Sequence, residues 1–152
     1  MQKHIPKRVL GIDYGMSRIG LAISDERQII ALPLYIVKAE KNIQQTLQNL
    51  LQAISELCLK YQCEISEIVI GLPLMMSGQV GIQADAVKNF IILFTEKSPI
   101  SVKTWDERLT TVQADRILRE SNLNRKARSK LVDTVSATLI LQSYLDSQLP
   151  LH

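Results

Sequence analysis

Val9-Leu10-Gly11-Ile12-Asp13-Tyr14-Gly15-Met16-Ser17-Arg18-Ile19-Gly20-Leu21-Ala22-Ile23-Ser24 sets an aspartate at the end of one apolar run and opens a second run at Ile19. The two runs read as short strands, Val9 to Asp13 and Ile19 to Ser24, joined by a turn containing Gly15. In the second strand Ile19, Leu21 and Ile23 share one face, while Gly20, Ala22 and Ser24 share the other. That period of two, with small residues on one side, describes a strand whose second face is closely covered. Ile29 to Val37 supplies a third strand, and Pro33 puts it at the sheet edge because proline cannot donate to a ladder. Three consecutive strands make a meander.

Outward from the meander the period changes. Ile43, Leu47, Leu50, Leu51, Ile54, Leu57 and Cys58 recur at three- and four-residue steps and predict a helix with a Gln-, Asn- and Glu-rich outer face. Glu67 to Gly71 is a short β-branched run closed by Gly71 and Pro73, which predicts a buried parallel strand. A loop with Gly78 and Gly81 leads to a helix over Ile82 to Glu96, with Phe90, Ile91 and Phe94 inward, and Ile100 to Trp105 makes a fifth strand. Thr110 with Gln113 forms a capping-box pattern for a helix ending near Ser121, and a last helix runs from about Arg128 to Ser147. The order predicts a mixed α/β sheet in which crossover units follow the meander.

At 152 residues the chain is expected to form one domain, 1–152, able to bury a core without staples. An apolar fraction of 46% excludes disorder, and no apolar run is long enough to span a membrane. The stretch Met1 to Lys7 lacks the charged-then-apolar layout of a secretory signal, so a cytoplasmic location is expected. Cys58 and Cys63 are read as reduced thiols, with Cys58 in the core, because nothing near them completes a zinc site.

Three carboxylates stand out. Asp13 sits in apolar, close-packed surroundings, where an ionised group is costly unless a cation or donors compensate it; a turn-capping aspartate is the alternative. Asp106-Glu107-Arg108 follows the fifth strand, whose carboxyl end shares a rim with Asp13 if the two strands are parallel. Successive residues of a strand face opposite ways, so one of Asp106 and Glu107 reaches the cluster; the longer stem favours Glu107, with Asp106 secondary. Both could instead serve the positive end of the following helix. Asp133 lies beside the apolar stripe of the last helix, one turn before the small Ser136 and Ala137 that permit close approach to the sheet; a solvated aspartate competes. Such oxygen ligands suit Mg²⁺ or Mn²⁺ and phosphoryl chemistry. Arg116, Arg119, Arg125, Lys126, Arg128 and Lys130 form a basic cluster before Asp133, fit to face a nucleic-acid backbone. Arg18 and Arg108, beside two of the carboxylates, could hold a phosphate or form structural ion pairs.

These residues resemble the YqgF/RuvX family of bacterial RNase H-like nucleases, described as Holliday junction resolvases and as pre-16S rRNA processing enzymes. The match runs nearly end to end. It rests on Gly11 to Gly15 with Arg18-Ile19-Gly20, on Ile70-Gly71-Leu72-Pro73-Leu74 with Gly78, on Asp106 to Thr111, and on Asp133 with Ala137 and Ile140-Leu141-Gln142. The resemblance implies an RNase H-like fold, a five-stranded mixed sheet in order 3-2-1-4-5 flanked by helices, with metal-binding acids at Asp13, Glu107 and Asp133. Met16-Ser17 stands where family members often carry Thr-Lys, and Ser136 where Ala is usual.

The leading expectation is metal-dependent processing of the 5′ end of precursor 16S rRNA, on ribosomal particles or free RNA, by a monomer or weak homodimer. Its rival, cleavage of branched DNA at Holliday junctions, uses the same chemistry. A sugar-kinase or actin-like ATPase shares Gly-x-Asp-x-Gly on a related fold, but needs two such domains around a nucleotide. A catalytically silent RNA-binding assembly factor is the remaining alternative.

Overall fold

The computed structural model describes residues 3–72, 81–106 and 125–150, with the main chain alone at 82 and at 125–133. Its elements are β1 (Lys7–Tyr14), β2 (Arg18–Ser24), β3 (Ala31–Lys38), α1 (Ile43–Tyr61), β4 (Glu64–Leu72), α2 (Ile82–Lys97), β5 (Ser101–Asp106) and α3 (Arg125–Ser147). The helix expected after Thr110 lies outside the described residues.

The strands form one sheet in the order β3-β2-β1-β4-β5. β1, β2 and β3 pair antiparallel, as the hairpin connections require, while β1, β4 and β5 run parallel across the helical crossovers. The expected order and the edge position of β3 are both met. Pro33 sits beside a register shift between Gly20 and Ala22 of β2, where a missing ladder donor is tolerated.

The two faces of β2 explain the layers. Ile19, Leu21 and Ile23 pack with Leu47, Leu50, Phe90 and Phe94 in the core beneath α1 and α2. Ala22, from the small-residue face, packs with Val9, Val69, Ala137, Ile140 and Leu141 beneath α3. Phe90 and Phe94 are at most 1% exposed, so truncating either to alanine removes about 3–5 kcal/mol.

Two local expectations need correction. β3 begins at Ala31 rather than Ile29, because the Asp25 carboxylate accepts the amides of Ile29 (2.8 Å) and Ile30 (2.9 Å) and holds both in a turn. Slight desolvation pushes the Asp25 carboxyl up, but the amides of Ile30, Ile29 and Arg27 outweigh it and hold the pKa below the usual carboxylate value. Cys63, not Cys58, is the buried thiol, and both are free. Leu57 takes the inward position of the last turn of α1. Cys58, the next residue around the helix, falls at the layer's edge, and the chain then turns through left-handed Gln62 (φ 50°) to tuck Cys63 under β4.

Polar side chains fasten α3 to the sheet at both edges. Tyr144 bonds Glu67 through its hydroxyl, and the Lys103 ammonium reaches Tyr144 Oη and Glu67 Oε2 at 3.3 Å each. Trp105 Nε1 donates to Ser143 Oγ at 3.0 Å. At the opposite edge Gln142 Oε1 accepts the Ala31 amide (2.9 Å) and its Nε2 donates to the Ile29 carbonyl (2.8 Å). Gln142→Leu strands the Ala31 amide, in a residue only 8% exposed, at a cost of about 1–3 kcal/mol. Thermal denaturation checks it: Tm falls by about 2–4 °C for each kcal/mol lost in a chain of this size.

Candidate active site

The carboxyl ends of the parallel strands β1, β4 and β5 form one rim, and Asp13 is the half-buried penultimate residue of β1. Its cross-strand partner on β2 is Gly20. On the other side Ile12 pairs with Ile70, so Gly71 is the next position of β4 alongside Asp13. Both neighbouring strands therefore present main chain only beside this carboxylate. Val9 belongs to the core beneath α3, so by strand alternation Gly11 and Asp13 face α3 as well.

Gly11 sets how closely α3 approaches. A Cβ there would lie 2.7 Å from Leu141 Cβ and 3.0 Å from the Ala137 carbonyl oxygen. The small residues Ser136 and Ala137 meet the sheet as expected, at 7% and 0% exposure. Further back along β1, Val9 lines the same small cavity as Tyr144 and Leu145, so α3 runs antiparallel to β1. Moving from Gly11 to Asp13 advances about 6.6 Å along the strand. Moving from Ala137 back to Asp133 advances about 6 Å along the helix in the same direction. The α3 main chain at Asp133 thus comes to the Asp13 end of the sheet.

Asp106 closes β5, opposite Leu72. Trp105 packs on the α3 side, edge-on to Tyr144 with ring centroids 5.5 Å apart, so Asp106 faces the α1 and α2 side, away from Asp13. Tyr14 shares that side, its ring tilted 37° against Phe90 with centroids 4.6 Å apart, and burial pushes its phenol pKa up. Glu107, Arg108, Arg116 and Arg119 lie outside the described residues. Arg125, Lys126, Arg128 and Lys130 occupy the first turns of α3, where the main chain alone is described. Among the described residues no three His, Cys, Asp or Glu side chains converge on a metal position; of the expected ligands, only Asp13 is among those side chains.

Arg18 opens β2 on the face of Gly20, hence of Asp13. The turn before it is closed by the Gly15 amide donating to the Arg18 carbonyl at 3.0 Å. A Cβ on Gly15 would stand 2.5 Å from that oxygen, so the turn needs glycine. Beyond Arg18 the rim continues into residues that no local pattern singled out. Lys38 is the direct cross-strand partner of Arg18. The Ala39 amide donates to the Ser17 carbonyl at 3.0 Å. The Glu40 amide donates to the hydroxyl of buried Thr46 at 2.8 Å. The first bond holds the β3–α1 connection against the β1–β2 turn, the second ties it to α1, and a groove of about 700 Å³ lies between connection and turn. Adjacency of this kind depends on register, which a linear pattern does not carry.

Among the described residues no helix is long and apolar enough to cross a membrane. A family model described as "RuvX: Holliday junction resolvase" matches residues 7–147. A protein of Protochlamydia amoebophila named "Putative pre-16S rRNA nuclease" is 64% identical over 143 residues, covering 94% of this chain and 95% of its own. One of the same name from Clostridium acetobutylicum is 44% identical over 140 residues, covering 92% and 98%. Among solved structures, Thermus thermophilus RuvC in complex with Holliday junction substrate superposes with a TM-score of 0.52 at 14% identity, over 97% of this chain and 100% of that one. The ethanolamine utilization protein EutJ from Carboxydothermus hydrogenoformans gives 0.51 at 17% identity, over 73% of this chain and 41% of that one. At such identities both likenesses concern the fold alone.

Proposed function

This chain belongs to the RuvX family, and from that premise we propose that it is a nuclease that hydrolyses phosphodiester bonds, acting on the 5′ end of precursor 16S rRNA in the cytoplasm. The observation that carries the reading is the position of Asp13. It is a half-buried carboxylate at the carboxyl rim of a parallel sheet, flanked by glycine on both neighbouring strands and approached by α3. A half-buried carboxylate at that position is placed to present oxygen to a cation, and the bare main chain of the flanking strands leaves room beside it.

Asp13, Glu107 and Asp133 are the residues that hold Mg²⁺ or Mn²⁺ in this reading. All three offer hard oxygen ligands, which suit these ions, whereas zinc sites draw mainly on Cys and His. Held by these residues, a divalent ion would supply Lewis-acid activation of a water and stabilisation of the leaving oxygen. Asp106 is set aside in favour of Glu107 because Asp106 faces the α1 and α2 side, away from Asp13. Arg18, on the Asp13 face, neutralises a phosphate beside the reacting one, and Arg108 with the basic residues of early α3 extends that field. The chain acts as a single domain, 1–152, either as a monomer or as a weak homodimer.

RNA is preferred over branched DNA because the similar proteins at 64% and 44% identity carry the rRNA nuclease name. The junction reading has the family's description in its favour, but symmetric cutting of a four-way junction requires two sites in register. Incubation with Mg²⁺ or Mn²⁺ on labelled precursor RNA and on a labelled junction separates the two. Cutting of the RNA at its 5′ flank is expected; cutting of the junction alone reverses the assignment. Failure to cut either, with RNA still bound, would leave an assembly factor. Calorimetric ATP binding would favour the actin-like class.

A further inference from the structure

The groove beyond Arg18 has chemistry that the cleavage site does not use. Arg18 and Lys38 are direct cross-strand partners, and like charges directly opposite each other on a sheet are unfavourable. With Lys38 beside Arg18, this stretch of rim gathers positive side chains and raises the local potential toward an anionic ligand. Lys38 has its side chain 78% exposed, with only a long 4.0 Å contact to Glu40. Lys41 lines the same groove and is exposed as well. The facing wall carries Met16, a thioether 73% exposed at the tip of the turn that follows Asp13. Exposed methionine beside paired ammonium groups suits a ligand with alternating anionic and aromatic parts.

We infer that this groove carries the single-stranded flank of the nucleic acid whose phosphodiester bond lies at Asp13, with Lys38 and Lys41 on successive phosphates and Met16 against a base. The inference rests on the nuclease reading for the polarity of the site, but not for the binding itself. A strand that follows the rim passes from Asp13 over Arg18 to Lys38 without crossing the sheet. A groove bounded by two loops accepts a splayed strand, whose bases are free to meet Met16; a duplex keeps its bases stacked inside. Among the described residues Glu40 is the one acid lining the groove, and it opposes the ligand.

The test is the salt dependence of binding by short fluorescent single-stranded oligonucleotides, followed by anisotropy with no divalent metal present. On a single strand each phosphate contact contributes about 0.7 to the slope of log K against log salt, so Lys38→Ala with Lys41→Ala flattens it by about 1.4. Met16→Ala weakens binding by a factor of about 2–10 with the slope unchanged. Glu40→Gln tightens binding, which a merely damaged fold does not do. RNA and DNA of one sequence are both measured, since the phosphate chemistry is common to them; flattening on either supports the groove, and the tighter binder names the source. An unchanged slope in the double variant, an equal loss on blunt duplex, or no oligonucleotide binding by the unaltered protein overturns the inference. Because no cutting is required, the outcome is separate from that of a cleavage assay on Asp13→Asn: a flattened slope alongside unimpaired cleavage by that variant leaves the groove standing and removes the nuclease site.

Discussion

Asp13→Asn lowers the single-turnover rate of phosphodiester cleavage by about a thousandfold or more, while the protein stays folded. The substitution keeps the size and shape of the side chain and deletes its charge, in a setting where both flanking strands offer only glycine. No neighbouring side chain on those strands can take its place. A lost metal ligand forfeits several kcal/mol of transition-state stabilisation; about 4 kcal/mol corresponds to roughly three powers of ten in rate. Asparagine keeps the shape of the side chain, so the fold is retained, and the metal-free Tm checks this separately from the rate. A second readout separates metal binding from general damage: Mn²⁺ raises the Tm of the unaltered protein by mass action, and the rise disappears in Asp13→Asn. Glu107→Gln follows Asp13→Asn in both measurements, and Asp106→Asn has the milder effect because its side of the sheet is the other one. Cleavage by Asp13→Asn at the unaltered rate would place the chemistry elsewhere.

Gly11→Val destabilises the fold by about 3 kcal/mol or more, and Gly11→Ala by about 1–3 kcal/mol. The first methyl carbon already falls 2.7 Å from Leu141 Cβ and 3.0 Å from the Ala137 carbonyl oxygen. One of these atoms is helix main chain and the other is the root of a side chain, so no rotamer change relieves the overlap. α3 must lift from β1, which also parts it from Val9, Ala22 and Val69 across the buried layer. A Tm lowered by about 6–12 °C is the expected reading for Val, at about 2–4 °C per kcal/mol. Activity falls beyond what the unfolded fraction accounts for, because the same lift moves the α3 main chain at Asp133 away from the Asp13 end of the sheet. Gly11→Val with unchanged Tm would mean that α3 does not sit against β1 as described.

Most of the framework was legible because it is written in short-range periods. The alternation of Ile19, Leu21 and Ile23 against Gly20, Ala22 and Ser24 announced both a strand and a close cover on one face, and α3 is that cover. Pro33 announced the edge. The errors fell where a tertiary partner overrode a local preference. The carboxylate of Asp25 drew Ile29 and Ile30 out of β3. Cys58 yielded the inward position to Leu57 by one step around α1.

Read alone, the chain determined which segments are strands and helices, and that an aspartate ends the first strand, because backbone preference and side-chain period act over a few residues. Tertiary structure alone decided that Asp106 faces away from Asp13, that α3 rests on the missing side chain of Gly11, and that Lys38 stands opposite Arg18. These are matters of register and helix placement, set by contacts between residues far apart in the chain, and a shift of one residue in either would reverse them.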